Sequence, residues 1–192
     1  MKLSGSYQIN LEKQKVWEAL NDPEILRQAI PGCEEFTKNS DTEFTAKATN
    51  KIGPFNASFT GDVELKDLNP PNSYKISGSG NSPVGFASGE ASVKLEDHQN
   101  GTKLIYEVEA NVGGKIAQVG SRLIDMTAKK MADIFFGKFS ELISTEDISL
   151  NEIQHEQKVN QQKQSKSKPH NQRILIYASG AAVVAILIYL FF

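Results

Sequence analysis

Between residues 33 and 112 apolar and polar side chains alternate in runs separated by turn residues. In one run Phe55, Ala57, Phe59, Gly61, Val63 and Leu65 fall on one side, with Asn56, Ser58, Thr60, Asp62, Glu64 and Lys66 on the other. A period of two is that of a strand with one buried and one wet face. The same period collects Gly85, Ala87, Gly89, Ala91, Val93 and Leu95 in a later run. It also groups Phe44, Ala46 and Ala48 in an earlier run, and Leu104, Tyr106, Val108, Ala110 and Val112 in a last one. Turn signals stand between the runs, among them Gly53-Pro54, Pro70-Pro71-Asn72 and Asn100-Gly101. Six strands of an antiparallel meander fit that spacing. A further strand is predicted over 3–9, and then a helix opening after Asn10 with Val16, Trp17 and Leu20 on its buried face. Asp22 is a natural cap and Pro23 sits at the favoured first helical position, so a second short helix begins there and stops at Pro31-Gly32. After Gly113-Gly114 the period becomes helical, with Ile116, Val119, Leu123, Thr127, Met131, Ile134, Phe135, Phe139 and Leu142 on one side up to about Ile143. The class is α+β: a strand, two short helices, a curved antiparallel sheet and one long closing helix.

The apolar face of this sheet is rich in Gly and Ala. Side chains that small leave space beneath a covering helix unless something else fills it, because interiors pack to a fixed density. One reading is an apolar cavity, whose dry wall prefers an apolar guest. The other is that the small residues let the sheet bend or the helix pack close. On the cavity reading the lining residues are Phe44, Phe55, Ala57, Phe59, Gly89, Ala91, Val93, Tyr106, Leu123 and Met131, with Met126 beside them if it faces inward. Gly113-Gly114 lets the last strand turn into the long helix, and Gly120 and Gly137 relieve crowding along it.

Residues 174–192 change the picture, since they carry no charge at all. As a helix this run extends about 28 Å, the thickness of a bilayer's hydrocarbon core. Lys158, Lys163, Lys166, Lys168 and Arg173 all precede it, which predicts a single-pass protein of the cell membrane with its N-terminal domain cytoplasmic. The first residues lack the basic and apolar regions of a signal peptide. The chain then divides into a domain over 1–143, a flexible polar linker over 144–173 and a transmembrane tail anchor over 174–192. The linker is rich in Gln, Asn, Ser and Lys and has few large apolar residues to offset its ordering entropy. One cysteine, Cys33, agrees with a reducing compartment and reads as packing.

The chain carries 21 Lys and Arg against 23 Asp and Glu, a formal net charge of −2, with no basic stripe interleaved with aromatics; nucleic acid is not an expected partner. Catalytic constellations are poor. His98 falls in a predicted turn, and His155 and His170 in the linker, away from Cys33. No pair of cysteines or of histidines has metal-ligand spacing, so no metal site is expected. Gly114-Lys115 resembles a phosphate loop but fails it, since Glu109 and Ile116 stand where the motif needs other residues. Three function classes are left. The first is a tethered carrier of a hydrophobic small molecule. The second is a membrane docking adaptor with a filled core, binding its partner through Arg122, Lys129 and Lys130 or through acidic strands. The third is a lyase or cyclase, which needs convergent polar groups inside, where alternation offers only Tyr106 and Tyr74.

The strings Val16-Trp17-Glu18-Ala19-Leu20-Asn21-Asp22-Pro23-Glu24, Ile30-Pro31-Gly32-Cys33-Glu34, Ile52-Gly53-Pro54-Phe55 and Gly89-Glu90-Ala91 add a second kind of information. Together with Val112-Gly113-Gly114-Lys115-Ile116-Ala117-Gln118-Val119-Gly120-Ser121-Arg122 they resemble the CoxG-like family of carbon monoxide dehydrogenase subunits, within the START-like (SRPBCC), helix-grip superfamily. The likeness covers about 1–143. It implies a curved antiparallel sheet gripping a long C-terminal helix around a hydrophobic tunnel. It also implies an accessory protein and not an enzyme, which recruits a molybdenum-containing carbon monoxide dehydrogenase to the membrane and carries a quinone as a non-covalent ligand. No covalently bound cofactor is expected.

Overall fold

The computed structural model describes the backbone of residues 1–161 and the side chains of 1–145. In chain order the elements are β1 (Lys2–Ile9), α1 (Lys13–Ala19), α2 (Pro23–Ala29), β2 (Cys33–Lys38), β3 (Glu43–Ile52), β4 (Phe55–Asn69), β5 (Ser73–Ser82), β6 (Gly85–His98) and β7 (Gly101–Gly114). A 3-10 turn (Lys115–Val119) and α3 (Ser121–Gln161) follow. The seven strands form one curved antiparallel sheet in the order β1-β7-β6-β5-β4-β3-β2. β2 to β7 are thus the expected meander, and β1 returns to pair with β7, Leu3 opposite Val108 and Tyr7 opposite Leu104.

Alternation sets which face is dry. Ala57, Phe59, Val63 and Leu65 are buried while Thr60, Asp62, Glu64 and Lys66 are exposed, as the period of two requires. α1, α2 and α3 cover the dry face, and Val16, Trp17, Leu20, Ile25 and Leu26 join the same core. The start of α2 follows from its cap: the Asp22 carboxylate accepts from the backbone amides of Glu24 at 2.8 Å and Ile25 at 3.1 Å.

α3 departs from expectation in three ways. It begins after Gly120 instead of after Gly114, because both glycines have positive φ, +84° at Gly114 and +90° at Gly120, and bracket a separate 3-10 turn. Gly120 is therefore a break before the helix and not a relief within it. The buried face is Ile124, Ala128, Met131, Ala132, Phe135, Phe136, Phe139 and Ile143, rotated from the expected one, so that Leu123 and Ile134 stand exposed at 36% and 45%. Finally the helix runs on to Gln161, past the expected boundary at Ile143 and into the polar tract drawn as a flexible linker. That stretch contains no Gly or Pro to stop it. Among the described residues no helix is long and apolar enough to cross a membrane, and the anchor expected over 174–192 lies outside them.

Candidate functional site

The register of the sheet gathers its small residues into one place. Ala46 faces Gly61, Gly61 faces Gly80 and Gly80 faces Ala87 across β3 to β6. One step along, Val63 faces Gly78, Gly78 faces Gly89 and Gly89 faces Ala110 on β7. A band of Gly and Ala therefore crosses five strands of the inner face. The first half of α3 turns Ile124, Ala128, Met131 and Ala132 into the same core. Further along, Phe135 and Phe139 stack with ring centroids 5.7 Å apart, and Phe136 meets Phe135 edge-on at 5.1 Å. Large rings thus cluster along one part of the buried face of α3, and alanines along another.

Of the lining residues expected from sequence, Phe44, Ala57, Phe59, Ala91, Val93 and Tyr106 are buried on the inner face, and Met131 is buried from α3. Phe44 stacks on Phe36 at 5.5 Å, and Phe55 is half-buried at the β3–β4 turn opposite Ile52. Leu123 and Gly89 are placed differently from these. Leu123 lies on the outward flank of α3, where a Cβ on Gly53 would sit 3.1 Å from its Cδ2, so it closes over the β3–β4 turn. Gly89 offers no room on its Cα: a Cβ there would stand 2.5 Å from the Glu109 carbonyl oxygen and 2.9 Å from the Ala110 Cβ. Close approach of neighbouring strands requires that glycine. Met126, at 62% exposure, faces outward.

The structure adds a polar group that the sequence did not single out. Tyr7, inward-facing on β1, donates its hydroxyl hydrogen to Asp133 on α3 and lies against Phe136 with ring centroids 4.0 Å apart. Tyr106, on neighbouring β7, stacks 5.6 Å from Phe136 and 6.2 Å from Tyr7. Its hydroxyl lies over Gly5, where a Cβ would come within 2.5 Å of it, so glycine at that position makes room for the phenol. Burial, then the bond to Asp133, pushes the Tyr7 phenol well above its ordinary range; burial chiefly raises Tyr106 as well. Both are neutral at physiological pH. The signal available in sequence was the alternation Leu3, Gly5, Tyr7, Ile9, but only the pairing of β1 with β7 puts Tyr7 beside Tyr106.

Elsewhere the chemistry is quiet. Burial pushes the Cys33 thiol up to about 11, and the thiol donates to the Glu35 carbonyl at 3.4 Å, so it is a protonated packing group near neutrality. His98 ends β6 at the turn into β7. Among the described residues no three His, Cys, Asp or Glu side chains are grouped to hold a metal ion. An open groove of about 750 Å³ lies on the outer face of the sheet, lined by Glu43, Asp62, Glu64, Glu90 and serines. Its acidic wall does not suit an apolar ligand.

The architecture recurs in solved structures. A conserved protein from Geobacillus kaustophilus is 29% identical and superposes with a TM-score of 0.72 over 76% of this chain and 96% of its own. A Thermus thermophilus protein (12% identity, TM-score 0.58, 76% and 98% covered) shares the fold. So does the Zhui aromatase/cyclase from a Streptomyces species (11%, 0.54, 75% and 93%). No curated protein matches the chain in sequence. The CoxG family of carbon monoxide dehydrogenase subunits, in contrast, matches residues 5–144, from the glycine beneath Tyr106 to just beyond the buried Ile143 of α3, and the chain belongs to that family.

Proposed function

We propose that this chain is a membrane-tethered accessory protein that holds a hydrophobic small molecule of the quinone class and serves a carbon monoxide dehydrogenase-type enzyme containing molybdenum. The observation that carries the reading is the band of Gly and Ala across β3 to β7, on the face of the sheet that shares its core with Ala128 and Ala132 of α3. Family membership supports the accessory role, and the likeness to an aromatase/cyclase is one of fold alone. The chain contributes no chemical step in this reading. It supplies apolar surface, worth about 25 cal/mol per Å² buried, and residues 174–192 keep it at the bilayer in which such a ligand dissolves. The domain then faces the cytoplasm, on the basic residues before the tail.

A chain ending at Gln161, purified from a quinone-rich host, extracted with organic solvent and analysed by mass spectrometry, tests the carrier. A stoichiometric quinone is expected. A folded domain that stays empty after incubation with quinone-bearing vesicles overturns it. The second reading, a docking adaptor with a filled core, draws on exposed Leu123, Met126 and Ile134 along the outer side of α3, beside Arg122, Lys129 and Lys130. It predicts that Ala57→Phe, which fills the inner face, leaves function intact, whereas the carrier loses its ligand.

A further inference from the structure

The geometry points to the outward side of the first half of α3, with the β3–β4 turn beside it, as the surface that the domain lays on an anionic bilayer. The inference rests on the membrane tether proposed above and deepens it, since an anchor alone does not say which side of the domain meets the lipid. Leu123, Met126 and Ile134 are long, apolar and exposed along this helix, Met126 most of all. Arg122, Lys129 and Lys130 are exposed beside them. Apolar side chains set among cations on one side of a helix suit the headgroup layer: the apolar tips reach below the phosphates and the charged ends stay among them.

The pairing of charges singles out this surface. Among the described residues Lys51, Lys115, Arg122, Lys129 and Lys130 make no ion pair, whereas Lys2, Lys13, Lys38, Lys66, Lys75 and Lys94 each hold a carboxylate. Lys103 on β7 is also unpaired. From Lys115 to Lys130 the sequence carries four cations against Asp125 alone. Lys51 joins them because α3 closes over the β3–β4 turn, where a Cβ on Gly53 would sit 3.1 Å from Leu123 Cδ2 and 3.5 Å from Val119 Cγ1. The groove on the other side of the sheet is walled by Glu43, Asp62, Glu64 and Glu90, which an anionic surface repels.

Chain length agrees with a helix lying along the membrane. From Ser121 to Gln161 α3 extends about 60 Å, and residues 162–173 reach at most about 40 Å before the uncharged run at 174 begins. With its first half on the lipid, α3 therefore lies at a shallow angle and does not stand upright.

Full-length Cys33→Ser chains carrying a bimane label at Met126→Cys, or at Asn100→Cys in the β6–β7 turn at the far end of the sheet, test this in nanodiscs that contain spin-labelled lipid. Quenching at Met126→Cys is expected to be at least about twofold stronger with phosphatidylglycerol present than in phosphatidylcholine alone. The Asn100→Cys label should be quenched weakly in both. Adding Lys129→Glu and Lys130→Glu to the Met126→Cys chain should remove the dependence on lipid charge. No quenching at Met126→Cys, equal quenching at the two sites, or quenching indifferent to lipid charge or to the two reversals overturns the inference. In each case a chain that stays with the nanodiscs keeps the tether standing and leaves this face to a protein partner. A chain that does not stay with the nanodiscs overturns both.

Discussion

Gly89 on β6 and Glu109 on β7 approach so closely that a Cβ on the glycine would stand 2.5 Å from the glutamate's carbonyl oxygen. The obstacle is backbone, which cannot swing aside. Gly78 on β5, Gly89's partner across the ladder, is different: a Cβ there meets the Asp62 carbonyl oxygen at 3.5 Å and Val63 Cγ2 at 3.7 Å, ordinary contacts. Gly89→Ala should therefore destabilise the domain by about 1–3 kcal/mol, and Gly78→Ala by under about 1 kcal/mol. Urea titrations of the two variants check this, with a shifted midpoint and unchanged slope expected for Gly89→Ala.

Gly137 carries the opposite expectation. It lies inside α3, exposed, and a Cβ there meets nothing within 4 Å among the described residues, so it relieves no crowding. Replacing it by alanine should stabilise the helix by about 0.5–1 kcal/mol, read as a rise in thermal midpoint. A loss of activity in that more stable variant would mark this surface as one a partner approaches.

The rotated face of α3 is tested by a pair of truncations. Phe139 is fully buried and stacked on Phe135, whereas Ile134 is 45% exposed. Phe139→Ala should cost about 3–5 kcal/mol and Ile134→Ala within about 0.5 kcal/mol. Comparable losses at the two positions would restore the face expected from sequence.

Alkaline pH should weaken the fold through Tyr7. Its phenol is raised in the folded state, by burial first and then by the bond to Asp133. The folded protein holds this proton more tightly than the unfolded chain does, so the contribution is complete below the unfolded phenol's pKa, about 10, and is lost as pH rises beyond it. Thermal midpoints measured from pH 8 to 11.5 should fall above pH 10, and fall less steeply in Tyr7→Phe.

Cys33 offers a reactivity test. With its thiol pushed up to about 11 by burial, alkylation by iodoacetamide should be slow at pH 8 and rise steeply only toward pH 11. In urea-unfolded protein the same rise should centre near the free thiol's value of about 8.5. Rapid labelling of the folded chain at pH 8 would mean that the thiol is neither buried nor held by the Glu35 carbonyl.

How far the fold is legible in the residues depends on how local the cause is. The strands β2 to β7 follow from a period of two and from turns marked by Gly, Pro and Asn, and α2 follows from an Asp22-Pro23 start; both causes act within a few residues. The start of α3 was harder to read, because Gly120 looks like any helical glycine until its φ of +90° is known. The helix face is obscured for a related reason: Leu123 and Ile134 are apolar but exposed, while Ala128 and Ala132 are small and fully buried, so hydrophobicity alone points the wrong way. Most of the expected lining residues share the inner face because alternation alone determines it. The Tyr7, Tyr106 and Asp133 group depends on three elements meeting in space, and no spacing along the chain encodes that meeting.

The place of β1 beside β7 also governs the order in which the protein can assemble as it is made. β1 is synthesised well before its partner β7, since Leu3 pairs with Val108 and the Met1 ammonium donates to the Ala110 carbonyl at 2.5 Å. Each hairpin from β2 to β7 closes between neighbours and can form as synthesis proceeds, but β1 must wait for roughly a hundred residues, the span that makes such pairings slow. Until α3 follows, the Gly- and Ala-rich inner face of the meander is open to solvent or to a chaperone. In a nascent chain it is the arrival of α3 that turns a bare apolar sheet into a covered one.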